Sequence, residues 1–509
     1  MVFNSITFAA FLPLVLIAHW AVPPQKRNLV LLVASYVFYG WWDWRFLALI
    51  ALSTVVDFAV GLAIGASRDE RSRSRLLAVS LVVNLGVLAV FKYAGFFVDS
   101  ANELLGGLGL SAAGPTLEVL LPVGISFYTF QTISYSFDVH RRRIEPTADL
   151  VVFATYVAYF PQLVAGPIER AQRLLPRIAT PAARTFPRGR DLDRAMSLFL
   201  SGLFKKVVLA DGIAPVVDEV FADPGGASGI AVAAGVVAFA IQLYGDFSGY
   251  TDMARGVSEL FGIDLMVNFR QPYLSRNITE FWRRWHVSLS DWLREYLYIP
   301  LGGNRGSGVA TIRNLMITML LGGLWHGASW NFVVWGAIHG VALVVHRLVA
   351  GGRVPVRRLS ITQVPAILAT FAIWCASMVF FRAATLADAG AVLSALATPL
   401  AGRRAWGSVG LVAVFAVVTV ALDLAQRRAD ESNVAERDRD GADGERTPAR
   451  APAGSLSPRR VAGSCGADLV SARRLPASSA GRGVLAGVAV VAIVVYSGGI
   501  PSPFIYFQF

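Results

Sequence analysis

Three of the six histidines in this 509-residue sequence sit where an imidazole could do chemistry. His326 stands in Leu-Gly-Gly-Leu-Trp-His-Gly-Ala-Ser-Trp (321–330), at the junction of two apolar runs. An ionisable side chain at membrane depth is a functional hypothesis by default. A neutral imidazole there can take a proton from a hydroxyl acceptor, and Gly322, Gly323 and Gly327 let the backbone bend or another segment come close. The competing role is a packing histidine hydrogen-bonded between helices. His286, forty residues upstream, lies in Glu-Phe-Trp-Arg-Arg-Trp-His-Val-Ser-Leu (280–289). It either orients a donor group through a second hydrogen bond or is an interfacial histidine of a basic helix. His339, deep in an apolar run, fits an interhelix hydrogen bond. His19, His140 and His346 lie at span ends and read as structural or interface residues.

Two acids stand in Tyr-Gly-Asp-Phe-Ser-Gly-Tyr-Thr-Asp (244–252). Asp246 follows an apolar run and needs a partner, either a histidine to orient or an arginine to pair with. Asp246 and Asp252 do not make a glycosidase pair, because nothing in the chain forms a sugar cleft facing them. Gly302 and Gly303 mark a turn that lacks the spacing and the Lys-Ser/Thr of a phosphate loop. His-Glu-x-x-His is absent, and the two cysteines, Cys375 and Cys465, offer neither a disulfide framework nor metal-ligand spacing. No metal is required for the chemistry outlined here.

The elements that must hold these residues are membrane helices. Hydrophobic residues make up 55% of the chain and charged residues only 16%, against about 25% charged in soluble proteins. That excludes an ordinary soluble enzyme and a disulfide scaffold. Apolar runs near 5–22, 29–42, 46–65, 77–95, 117–137, 193–212, 229–248, 309–326, 328–348, 362–382, 407–425 and 484–499 give twelve candidate spans. Residues 5–22 read as a first span and not as a signal peptide, for want of a basic leader and a cleavage site. The 46 Lys+Arg against 34 Asp+Glu suit cytoplasmic loops, so nucleic acid is not an expected partner. Lys26 and Arg27, then Arg68 to Arg75, then Arg141 to Arg143 make every second loop basic, placing both termini outside. The run 149–168, broken by Pro161, Gly166 and Pro167, is expected to be re-entrant. The long inner loop 252–308, rich in Arg and aromatics, is expected to form amphipathic helices at the inner interface. Residues 426–482 read as a disordered linker between a membrane core (1–425) and a final helix with its tail (483–509).

With these motifs in view, the sequence resembles the membrane-bound O-acyltransferase (MBOAT) family, in its bacterial alginate O-acetyltransferase-like branch. The stretches that carry the resemblance are Leu-Pro-Val-Gly-Ile-Ser-Phe-Tyr-Thr-Phe-Gln (121–131), Phe-Pro-Gln-Leu-Val-Ala-Gly-Pro-Ile-Glu-Arg (160–170) and Tyr-Gly-Asp-Phe-Ser-Gly-Tyr-Thr-Asp (244–252). Asn-Phe-Arg-Gln-Pro-Tyr (268–273), Phe-Trp-Arg-Arg-Trp-His (281–286) and Gly-Leu-Trp-His-Gly-Ala-Ser-Trp (323–330) complete them, in family order. The 427–482 insertion departs from the compact family pattern.

The resemblance implies an all-α, polytopic fold of about 11–12 transmembrane helices, with re-entrant or interfacial helices around a central funnel. His326 takes the position of the catalytic histidine and His286 that of a second polar residue. Asp246, Asp252, Trp325, Arg283 and Arg284 are supporting candidates. The span count sets His326 nearer the outer surface, whereas the resemblance implies the funnel waist. The implied reaction passes an acyl group, acetyl above all, from a cytoplasmic thioester (acetyl-CoA or an acyl carrier protein) to a hydroxyl outside. No bound cofactor is needed. The expected partners are that donor, an extracytoplasmic acceptor enzyme or polymer, and the lipid bilayer of a bacterial inner membrane. The tail Phe-Ile-Tyr-Phe-Gln-Phe (504–509) resembles a short motif of this branch whose tyrosine relays an acyl group, which nominates Tyr506. An aromatic interface anchor is the other role open to it. Rival functions are D-alanyl transfer to a teichoic-acid-type polymer, transport of a polymer or lipid carrier, and a scaffold recruiting an outer transferase.

Overall fold

The computed structural model of the chain describes residues 1–110, 121–351, 360–398, 406–444 and 504–505. Helices dominate them, and no strand occurs among the described residues. The first group is α1 (Ile6–Ala21), α2 (Arg27–Asp43), α3 (Leu47–Ala66), α4 (Glu70–Leu88) and α5 (Ala94–Gly107). Next come α6 (Ile125–His140), the short α7 (Leu150–Ala158), α8 (Phe160–Leu163) and α9 (Ala171–Ala179), then α10 (Arg190–Phe204) and α11 (Gly212–Ala222). A 32-residue helix, α12 (Gly229–Leu260), precedes two short ones, α13 (Ile278–Trp282) and α14 (Val287–Leu293). The chain continues through α15 (Gly308–His326), α16 (Trp330–Ala350), α17 (Val364–Arg382), α18 (Leu386–Leu396) and α19 (Trp406–Gly444).

Local sequence sets many of these starts. Ser5, Asp69, Asp149, Ser228, Asn277, Ser307 and Thr385 each accept a hydrogen bond from a main-chain N–H of the turn that follows. Short polar side chains do this because the first N–H groups of a helix have no partner within it. Three π-helical stretches interrupt the α-helical ladder, at Ala89–Tyr93, Lys205–Asp211 and Arg294–Tyr298.

Seven segments of the described residues are long and apolar enough to cross a membrane. They contain eight of the twelve expected spans, because Pro24–Ala66 holds both α2 and α3, joined at a single 3-10 turn. The other four differ for physical reasons. α1 is apolar but only 16 residues long. The expected span at 117–137 becomes α6, whose Ser, Thr, Gln and Asp side chains are buried inside the protein. That at 193–212 becomes α10 and a π-helical turn, packed on α12 and carrying Lys205 and Lys206. The expected span at 484–499 lies outside the described residues. The run 149–168 is broken at Tyr159 between α7 and α8, and both pieces are buried. α19 runs on to Gly444, past the boundary expected near residue 425 from composition.

α12 is the central post. Of its apolar window 72% is buried, against 22–39% for the other six candidate spans. α10 comes close enough that a Cβ on Gly249 would lie 2.6 Å from the Gly202 carbonyl oxygen. Buried polar groups staple other helices together. Asp57 of α3 accepts hydrogen bonds from Ser80 and Asn84 of α4 and from Ser136 of α6. The 252–308 loop is structured and carries α13 and α14. Trp285, Phe281 and Trp292 are buried in the core rather than laid on a surface, and Trp285 packs between Phe281 and Trp374.

α15 and α16 pack backbone to backbone. A Cβ on Gly323 would overlap the Phe332 carbonyl, and one on Gly336 the Met319 carbonyl. Gly336→Val must therefore push the two helices apart. The expected outcome is a loss of about 1–3 kcal/mol of stability, read as a lower melting temperature of the detergent-solubilised protein. An unchanged melt would show that the close approach is dispensable.

Candidate active site

His326 is the last residue of α15, and the chain leaves it through an extended Gly327. Its ring is 3% exposed. It lies edge-on to Trp325 (5.0 Å between centroids), Trp335 (4.8 Å) and Phe381 (5.3 Å). The close approach of α15 to α16 brings Trp335 into this aromatic box.

His286 reaches the same neighbourhood from a different element. It caps the N-terminus of α14 in a left-handed conformation, φ 42° and ψ 55°. That conformation is uncommon for a residue with a Cβ and persists only when the surroundings impose it. Its Nδ1 lies 3.2 Å from Asn268 Oδ1. The same oxygen accepts from the main-chain N–H (3.2 Å) and Oγ (2.9 Å) of Ser288. Two donors on Oδ1 orient the amide, so Nδ1 must carry the proton and donate it. The Leu289 N–H, 3.4 Å from Nδ1, is the weaker contact. Nε2 is left with its lone pair, and among the described residues it has no hydrogen-bond partner. Burial pushes this imidazole down to about 3, so it is neutral across the physiological range.

Trp325 joins the two histidines, its ring 5.7 Å from His286 and 5.0 Å from His326. A cavity of about 60 Å³ opens beside His326, lined by Lys92, Gly124, Ser126, Phe127, Trp325 and His326 among others. A larger one of about 310 Å³, lined by Ser5, Phe38, Tyr39, Trp41 and Trp42, shares Val123 and Val164 with it. Lys92 Nζ donates to the carbonyls of Trp325 (2.7 Å) and His326 (3.2 Å), and Tyr93 Oη to that of Leu324 (2.8 Å). The sequence reading passed over Lys92, Tyr93 and Asn268. The signal for Lys92 was available: a single cation within the apolar run 77–95.

The remaining candidates occupy distinct places. Asp246 pairs with Lys206 (3.0 Å), which also holds Asp211 (2.7 Å). The expected partner of Asp246 was a histidine or an arginine. The π-helical turn at Lys205–Asp211 supplies a lysine from the adjoining helix instead. Its other oxygen accepts the Ile505 N–H at 2.6 Å. Asp252 pairs with Lys205 (2.9 Å). Arg284 is held by Glu280 (2.8 Å) and Arg283 is exposed, so neither arginine is brought to the histidines. Phe504 and Ile505 are buried, with the Phe504 ring tilted against Tyr250 (4.8 Å) and edge-on to Phe247 (5.9 Å). Phe247 in turn meets His286 at 4.7 Å. Tyr506 lies outside the described residues. His339 makes the interhelix bond its position suggested, to Ser377 Oγ at 3.0 Å. Among the described residues no cluster of three or more His, Cys, Asp or Glu side chains could hold a metal ion.

Comparison with known proteins places this geometry in a family. Residues 37–386 match the MBOAT, membrane-bound O-acyltransferase family. The chain is 47% identical over 390 residues to a protein of Azotobacter vinelandii named probable alginate O-acetylase AlgI, covering 76% of each chain. It is 36% identical over 429 residues to a peptidoglycan O-acetyltransferase of Helicobacter pylori, covering 78% of this chain and 80% of the relative. A teichoic acid D-alanyltransferase of Streptococcus thermophilus is 30% identical over 251 residues, 45% of this chain and 58% of the relative. The chain therefore belongs to the membrane-bound O-acyltransferase family and is a multi-pass membrane enzyme that transfers acyl groups to oxygen.

Proposed function

We propose that the protein moves an acetyl group from a cytoplasmic thioester, acetyl-CoA or an acyl carrier protein, to a hydroxyl acceptor on the outer face of a bacterial inner membrane. The acceptor class is an exopolysaccharide or cell-envelope polymer, reached directly or through an outer acceptor enzyme. The observation that carries this reading is the pair of buried imidazoles that both contact Trp325, one capping α14 and the other, His326 at the end of α15, lining a cavity. The relatives named for alginate and peptidoglycan O-acetylation support acetyl over D-alanyl, because their identity extends over three quarters of the chain.

In this mechanism His326 takes the proton of the acceptor hydroxyl as its oxygen attacks the thioester carbonyl carbon. The carbonyl pair moves onto oxygen. The tetrahedral adduct then collapses, the C–S bond breaks, and the thiolate recovers the proton from His326. His286 accepts a hydrogen bond at Nε2 and orients the acceptor hydroxyl. Enclosure by Trp325, Trp335 and Phe381 keeps water from competing. The tail gives Tyr506 a role as an acyl relay. The burial of Phe504 and Ile505 against α12, with the Ile505 N–H bonded to Asp246, supports a tail that docks on the enzyme core.

Three measurements test this reading. Mild alkali releases ester-linked acids from envelope and secreted polymer of cells expressing the wild type or His326→Ala at equal level. The variant is expected to lose the released acetate by about 10²–10⁴-fold, the range of general-base catalysis. Loss of D-alanine instead would reassign the acyl group, and no change in either would remove the catalytic role of His326. Asn268→Ala frees the His286 ring to turn, and the transfer rate is expected to fall up to about 10²-fold with protein level unchanged; an unaltered rate would mean that the orientation of His286 is irrelevant. Mass spectrometry of the C-terminal peptide during turnover is expected to find an acyl adduct on Tyr506. Absence of that adduct, with full activity in Tyr506→Phe, would end the relay.

A further inference from the structure

We propose that Lys92 is a catalytic residue whose ammonium holds the thioester carbonyl oxygen as it becomes an oxyanion. This rests on the acyl-transfer reading above and supplies what that mechanism lacks, a donor for the developing negative charge.

Lys92 lies in the π-helical turn Ala89–Tyr93, inside an apolar segment long enough to cross a membrane. A cation at such depth is costly and normally paired. The other two lysines of the molecule's interior follow that rule: Lys205 is bound to Asp252 and Lys206 to Asp211 and Asp246. Lys92 differs. Its hydrogen bonds among the described residues go to two neutral carbonyl oxygens, those of Trp325 and His326. These carbonyls hold the ammonium in place without cancelling its charge. An ammonium has three donors, and two carbonyl bonds leave the third for a group in the cavity that Lys92 and His326 line together.

The placement fits the step that needs it. When the acceptor oxygen bonds to the carbonyl carbon, the carbonyl π pair becomes a full negative charge on oxygen, while His326 takes the hydroxyl proton. Collapse returns the pair to the C=O bond, expels the thiolate, and returns the proton from His326 to sulfur. A fixed cation in a low-dielectric wall is strongly attracted to the transient charge and needs no reorganisation to meet it. The lysine is also tied to the backbone of the residue that acts as base. Lys92 and Tyr93 together bond the carbonyls of Leu324, Trp325 and His326, so base and oxyanion donor move as one unit. Both side chains come from one π-helical turn, a feature frequent at functional sites.

A purely structural lysine, capping the end of α15, would need donors but no charge. Lys92→Gln, Lys92→Met and Lys92→Arg separate the two roles in the full-length protein. The readout is the initial rate of ester-acetate formation in cells pulsed with labelled acetate, normalised to membrane protein, with the melting temperature of each purified variant. Gln and Met are expected to lower the rate about 10²-fold or more, the cost of removing one oxyanion donor, and Arg to recover part of it. Gln should melt with the wild type. Full activity in Lys92→Gln would overturn the proposal and leave a capping role. Should Met and Gln both melt early, recovery of stability without activity in one of them at lower temperature keeps the charge argument, and joint recovery of both ends it. Loss of transfer in His326→Ala with normal Lys92→Gln would refute only the oxyanion role; normal transfer in both would refute the acyl-transfer mechanism itself.

Discussion

A polar group carried into an apolar slab must find its partner within the same chain, and the interior of this protein is arranged around that requirement. Asp57 is bonded by side chains from α4 and α6. Asp246, Lys206 and Asp211 form one linked group on α12 and the π-helical turn beside it. Lys92 is satisfied by the carbonyls at the end of α15. Each bond joins elements distant in sequence, so satisfying the charges also fixes how the helices sit. α12 can be long and deeply buried because its polar residues meet partners from α10, the 205–211 turn and the tail.

The site inherits its rigidity from those contacts. Glycines bring α15 and α16 to backbone contact, which sets Trp335 against His326. Asn268 and Ser288 orient the ring of His286 from a loop that packs into the core. Trp325 contacts both rings, at 5.7 Å from His286 and 5.0 Å from His326. Both chain ends come to the same helix: Phe3 stacks on Tyr250 at 4.6 Å and Phe504 packs against that ring at 4.8 Å. Phe504 and Ile505 are thus part of the core, with Phe504 one aromatic ring away from His286 through Phe247.

Much of the architecture could be read from residues alone. Apolar runs of membrane length and the Pro and Gly breaks in 149–168 act within a few residues of themselves, so local chemistry was enough to find them. The span count was less legible at α6 and α10, since their burial comes from neighbouring helices and not from their own hydropathy. In the 252–308 loop the composition pointed to structured helices, but that Trp285, Phe281 and Trp292 pack into the core was decided by the neighbouring elements they meet.

By itself the sequence determined that this is a helical membrane enzyme, and it marked His326 and His286 through the motifs that surround them. It left open which polar groups face each other. The lysine partner of Asp246, the Asn268 bond that orients His286, and the position of Lys92 at the end of α15 depend on pairings across 18 to 234 residues. Such pairings are decided when helices pack, because a buried charge is satisfied by whichever group the fold carries to it, and spacing along the chain holds no record of that.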